Sequence, residues 1–401
     1  MRNSATIAAG SATAPESAGA LLPIMGVVFV GFLVIGVALP VLPLHVHDDL
    51  GLGTFLVGLV TGSQFAAALI SRPWVGTYCD RRGAKQAVVL GLVGAAASGL
   101  LYLLSIAFKT SPNASVAILI AGRTLLGCAE SAIITGGVSW GLSLVGPERT
   151  GKVIAWIGAA MFGAFAVGAP IGSALYGAFG FEAIAQATAI LPLLTLLAAV
   201  PLKGVDPLST VRPAFWKVMG AVWLPGTAAA LGSVGFGAIT AFVVLLHGQR
   251  GFGFGWLAYT LFAGFFILAR LVFGDRPDRM GGARVATASM LVEAVGLSLI
   301  AFAPSLAVAL AGAALTGLGY ALVYPGLGVE AVKRAPPESR GLAMAAYTAF
   351  LDVALGFGTP LLGLAAGQIG LGGAFALSAL AALGACALSA ALPSWSSPNP
   401  V

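Results

Sequence analysis

The chain has 401 residues, 59% of them hydrophobic and only 8% charged, with a mean hydropathy of +0.99. Soluble domains carry about a quarter charged residues, so this is not a soluble globular protein. Its net charge of +6 is no sign of nucleic acid, because the positive residues sit in short loops between apolar runs, where they report membrane topology.

Residues 1–20 are rich in Ala, Ser and Gly and are expected to be a disordered tail. A membrane helix needs about 20 mostly apolar residues. That ruler divides the rest of the chain into twelve runs, at 21–46, 54–78, 86–108, 115–145, 151–178, 182–202, 217–246, 255–274, 285–303, 306–331, 341–366 and 372–393. The first is too long for a signal-peptide core and is read as a retained span. The fourth and fifth exceed what a bilayer requires and are expected to tilt or protrude. The polar link from Lys203 to Arg212 separates a first six-helix bundle, 21–202, from a second, 217–393. A central loop at 203–216 and a short tail at 394–401 complete the division. The expected fold is an all-α membrane protein of two pseudo-symmetric bundles, and its 56 glycines suit helices that approach closely.

A charged turn organises the chain because it occurs twice. Gly76, Asp80, Arg81 and Gly83 follow the pattern Gly-x-x-x-Asp-Arg-x-Gly, and Gly274, Asp278, Arg279 and Gly281 repeat it 198 positions later. Each copy has an arginine four residues before its first glycine, Arg72 and Arg270. Further on the echo runs at an offset of 190: Pro147 to Gly151 matches Pro337 to Gly341, Gly168 and Pro170 match Gly358 and Pro360, and Gly122 and Gly127 match Gly312 and Gly317. Such a series implies parallel repeats about an axis along the membrane normal. Seventeen of the twenty Lys and Arg residues lie on the side of the two turns; Lys109 and Arg250 lie opposite, and Arg123 falls within a run. The excess places the turns, the central loop and both termini in the cytoplasm.

These turns, after the second and eighth runs, resemble the loop motif of the major facilitator superfamily. Pro40 and Pro43 resemble a motif of its twelve-span drug/proton antiporter branch. Arg123 with Gly127 resembles its proton-linked arginine motif, with Leu126 where a glutamine is common. Gly168, Pro170 and Gly172 match the antiporter motif of the fifth span only in part, since Gly-Pro and Gly-Gly pairs are usual there. The segment from Glu330 to Asp352 is similar to a subgroup described as arabinose-efflux-like. The resemblance covers residues 20–393 and implies alternating access around a central cavity. It also implies a cytoplasmic gate, with Asp80 facing the start of the eleventh span and Asp278 the start of the fifth. Pro40, Pro43, Gly168, Pro170, Gly358 and Pro360 are the expected helix-bending positions.

Four ionisable residues fall deep inside the runs, away from their ends: Arg123, Glu130, Glu293 and Asp352. A charge in hydrocarbon costs at least about 2.5–3.5 kcal/mol, so each must face a cavity or a partner. Asp352 lies about 16 Å deep by helical rise, near the midplane. Glu130 follows Arg123 by seven positions, so both point the same way, about 10 Å apart, towards a shared aqueous path. A carboxylate alternately dry and wet can take a proton on one side and release it on the other; the same acids can instead fix helix packing by hydrogen bonding. Gln64 is a candidate cavity donor or a helix–helix hydrogen bond. His45, His47, Asp48, Asp49 and His247 mark the outer ends of the first and seventh runs, as boundary residues or a metal or pH site. Cys79, Cys128 and Cys386 have no metal-like spacing. Gly137, Ser139 and Gly141 match a hydrolase nucleophile pattern, but within a helix and without a partner base. No phosphate-binding loop or zinc spacing is present, so no catalytic residue, metal or cofactor is expected.

The expected function is therefore not enzymatic. It is proton-coupled efflux of a small organic molecule across the cytoplasmic membrane, powered by the proton gradient. Import by symport or uniport is the alternative within transport. A sensor is disfavoured for want of an appended domain. The expected partners are the substrate and the lipid bilayer, without nucleic acid or an ATP-binding partner, and the chain is expected to work as a monomer.

Overall fold

The computed structural model describes residues 14–145, 150–204, 216–335 and 340–392. Most of the expected N-terminal tail and central loop, the C-terminal tail, and the segments containing Pro147 and Pro337 lie outside the described residues. No strand occurs among those described. The helices are α1 (Ala14–Ala38), α2 (Leu42–Leu44), α3 (Thr54–Arg82), α4 (Ala84–Ala107), α5 (Pro112–Val145), α6 (Thr150–Ala199) and α7 (Trp216–Gln249). They continue as α8 (Gly255–Phe273), α9 (Arg276–Met280), α10 (Gly282–Ala301), α11 (Leu306–Tyr320), α12 (Val323–Arg334), α13 (Arg340–Val353) and α14 (Thr359–Ala390). In lipid every backbone polar group must be satisfied within the segment, which is why long apolar runs become helices.

The first run differs from expectation at both ends. α1 already begins at Ala14, so the end of the expected disordered tail is helical; Pro15 is tolerated there because the first turn needs no amide donor. It stops at Ala38, since Pro40 has no amide hydrogen to extend the ladder, and Pro43 opens α2 before a π-helical turn at His45–Asp49. The tenth run is interrupted between α11 and α12, and the eleventh contains a π-helical turn at Ala354–Gly358 just before Pro360. Among the described residues, ten helical stretches are long and apolar enough to cross a bilayer. Two of them, Trp156–Ala199 and Leu342–Ala390, are too long for one crossing. Each holds a glycine in non-helical conformation, Gly180 (φ 70°) and Gly370 (φ 79°), and these fall in the two gaps left between the expected runs.

The repeat is visible in packing as well as in spelling. A Cβ added to Gly127 of α5 would fall on the carbonyl oxygen of Gln64 in α3; one added to Gly317 of α11 would fall on that of Phe262 in α8. Helices α1–α6 pack chiefly among themselves, as do α7–α14. The two groups meet along two seams, α3 against α13 and α14, and α6 against α8. Facing outward are large apolar side chains such as Ile70 and Leu271, each 76% exposed, together with Phe179, Leu197 and Phe302. Such a belt belongs against hydrocarbon.

Candidate functional site

The first seam is tight at the end away from the Asp-Arg turns. Thr54 Oγ1 donates to the Gly363 carbonyl at 2.7 Å, and Gly58 and Gly62 lie against the backbone at Thr359 and Gly356. Farther along, Arg72 and Asp352 form an ion pair at 2.8 Å across the seam. The Asp352 side chain is 10% exposed and that of Arg72 29%. The contact is an ion pair more than an aligned hydrogen bond, since Asp352 Oδ2 meets no hydrogen-bond geometry. Along this seam α3 packs against both α13 and α14.

Polar groups continue from the ion pair into the first group of helices. Gln64 of α3 is fully buried and donates from Nε2 to Glu130 Oε2 at 2.5 Å. Glu130 lies within electrostatic reach of Arg123 and Arg72, and Asp352 within reach of Glu130. Arg123 is wholly buried in α5, and its Nε donates to the Val60 carbonyl at 3.3 Å. The structure thus brings Arg123, Glu130, Gln64 and Asp352 into one network, with Arg72 as the member that reading by sequence misses. By sequence Arg72 counts among the loop charges. Its signal is its place inside an apolar run, with a twin at Arg270. Arg123 and Glu130, expected to face the same way without direct contact, do so: Glu130 bonds Gln64 and feels Arg123 at a distance.

Glu293 does not join the network. It is fully buried in α10 against Gly235 of α7 and the backbone near Gly319, inside the second group. Neither carboxyl oxygen has a hydrogen-bond partner among the described residues. Its depth was legible from sequence, but its facing was not. α6 stays helical through Gly168 and Pro170. Gly168 admits the backbone of Gly36 and Val37, so it serves close packing.

The two charged turns differ in form. In the first, α3 remains helical through Asp80 and Arg81 and ends at Gly83 (φ 95°), with Gly76 buried and Asp80 half-buried. In the second, α8 ends at Phe273 and Gly274, Pro277 fits the first turn of α9, and Gly281 (φ 94°) closes the motif. Asp278 is exposed, and Arg279 pairs with Asp275 of its own turn at 2.8 Å. At the outer end, Asp49 accepts from His45 and Tyr176, each at 2.8 Å, and the His45 ring stacks on Phe181. His247 bonds instead to Val243 of its own helix, so the two histidine positions form separate packing contacts. Ser139 lies inside α5 and not in a strand-to-helix turn.

The second seam is built differently from the first. Thr260 of α8 donates to the Ala166 carbonyl of α6 at 3.3 Å, and the Phe162 and Phe266 rings stack with centroids 3.6 Å apart. The half-buried Arg270 lies over Phe266, 4.7 Å from its centroid, and its Nε donates to the Ala321 carbonyl at 3.2 Å.

A family model described as Major Facilitator Superfamily matches residues 24–275 and 249–400. An uncharacterized MFS-type transporter of Pseudomonas aeruginosa is 44% identical over 364 residues, 91% of this chain and 90% of the relative. Another of Salmonella typhimurium is 42% identical over 363 residues, 90% and 94% of the two. Among solved structures, a mutant of the nucleoside transporter NupG aligns with a TM-score of 0.73 at 15% identity, over 92% of this chain and 99% of the other. A bacterial homologue of the lysosomal transporter Spinster, in an inward-facing and unoccupied conformation, aligns with a TM-score of 0.69 at 13% identity, over 94% and 97%.

Proposed function

Because the chain belongs to the major facilitator superfamily, and so is an integral membrane transporter, we propose that it exports a small organic molecule in exchange for protons. The observation that carries this reading is the Arg72–Asp352 ion pair, a buried acid held by the opposite half at the seam that must move in alternating access. Dividing the two overlong stretches at Gly180 and Gly370 gives twelve crossings, six in each half. The excess of Lys and Arg on the side of the two turns supports reading that side, with both termini, as cytoplasmic; the further parts of the proposal are an inner-membrane location and a monomer as the working unit.

The physical logic is one of compensation. A buried pair that loses one charge leaves the other unpaired, and in mutational series that costs about 3–5 kcal/mol. Protonation of Asp352 removes the partner of Arg72, so the seam loosens and the halves can rock. Where water then reaches the acid the proton leaves, and the pair forms again. Gln64 and Glu130 extend the polar lining from this point, and the superfamily's branch resemblance at Pro40, Pro43 and Arg123 favours exchange with protons.

Comparative metabolite profiling of a strain lacking the protein tests the proposal, with complementation by wild type or by Asp352→Asn at equal membrane abundance. One or more small organic compounds should accumulate in the medium with wild type, and collapse of the proton gradient should abolish the accumulation. The Asn variant should fall by about tenfold or more, as expected for loss of a charged partner. Accumulation inside the cells would make the protein an importer and overturn the export reading. An Asn variant that matches wild type would remove Asp352 from the mechanism.

A further inference from the structure

The repeat sets each residue of one seam against a counterpart in the other. Offsets of 198 and 190 relate Arg72 to Arg270 and Phe162 to Asp352. The structure honours this relation: Gly62 lies against Gly356 in the first seam, and Thr260 bonds to Ala166 at the corresponding place in the second. One position breaks it. Where Arg72 has the carboxylate of Asp352, Arg270 has the ring of Phe162, with its guanidinium 6.0 Å from the centroid. Among the described residues no carboxylate pairs with Arg270, and the ionisable groups nearest it electrostatically are Tyr320, Tyr324 and Tyr347.

Resting on the transport reading, we infer that Arg270 is the anion-recognition point of the substrate site, and that the cargo is an organic anion with a flat apolar body. A desolvated guanidinium needs a counter-charge, and a ring face compensates it less fully than a carboxylate does. Its planar fork accepts a carboxylate or similar oxyanion in two parallel hydrogen bonds. The cargo's anionic group takes in the second seam the role that Asp352 has in the first. The surroundings are aromatic: Phe162 stacks on Phe266, and Phe236 stacks on Phe262 and Tyr320, all buried, so a flat apolar body would have to part or replace these ring–ring contacts. Arg270 is only half-buried at this seam, so part of its side chain remains accessible.

The test uses the full-length protein in detergent and matched probes: benzoate, 2-naphthoate and 4-biphenylcarboxylate, each beside its neutral amide. Thermal shift and equilibrium binding are read for wild type, Arg270→Gln and Phe162→Asp. At least one carboxylate should bind wild type about tenfold or more tightly than its amide. Arg270→Gln should erase that preference. Phe162→Asp supplies an internal carboxylate and should erase it too, while unfolding at or above the wild-type temperature, so its loss is not misfolding. The inference fails if no carboxylate is preferred, or if either variant keeps the preference. Flux of the preferred probe from loaded proteoliposomes separates this inference from the reading beneath it. Binding through Arg270 without flux would sink transport and leave the anion site standing. Flux of neutral or cationic compounds untouched by Arg270→Gln would do the reverse.

Discussion

Arg72 reaches across the seam to Asp352, and removing either partner has unequal consequences. Arg72→Ala leaves a nearly buried carboxylate uncompensated and should lower stability by about 1–3 kcal/mol, discounted for the partial exposure of the arginine. The double change Arg72→Ala with Asp352→Ala should recover at least half of that loss in thermal unfolding; additive losses would mean that the pair is not coupled. The acids were legible from sequence because a charge inside an apolar run stands out. Their partners were not, since Glu130 and Gln64 lie on different helices and Glu293 shows its depth but not its facing. Arg72 was hidden by its closeness to the charged turn, which draws it into the count of loop residues.

Between elements, the glycines fix how near two helices come. Gly127 and Gly317 sit where a methyl group would meet the carbonyl of Gln64 or of Phe262. Changing either to Ala should therefore cost about 1–3 kcal/mol by overpacking. Gly177→Ala is the contrast, since nothing lies within 4 Å of its added carbon, and it should be neutral in the same unfolding assay. Equal effects at all three positions would refute the close-packing account. Helix existence followed from apolar length, and the non-helical Gly180 and Gly370 fall between the expected runs. What composition hid was which glycines admit a neighbour: at Gly168 the backbone of Gly36 and Val37 packs close. Pro40, by contrast, ends its helix as its chemistry demands.

For the molecule as a whole, the tight end of the first seam is, on the proposed alternating-access reading, one state of a carrier whose halves rock. In a background with the three native cysteines replaced, Thr54→Cys with Gly363→Cys should crosslink readily, because those positions are already bonded. The crosslinked protein should not transport, and reductant should restore it. Unimpaired flux with the bond intact would exclude motion at that edge. The repeats and basic loops made the two-part plan legible, whereas the state of the seams was not, because it depends on contacts between halves that share no local pattern. The substitution of Phe162 for an acid has a consequence for leakage. A carrier with an ion pair in both seams could close while empty and dissipate the gradient in idle cycles. On the anion reading, closure around Arg270 without a cargo would leave its charge uncompensated at the seam, so the unloaded protein should stay open and slippage should be low.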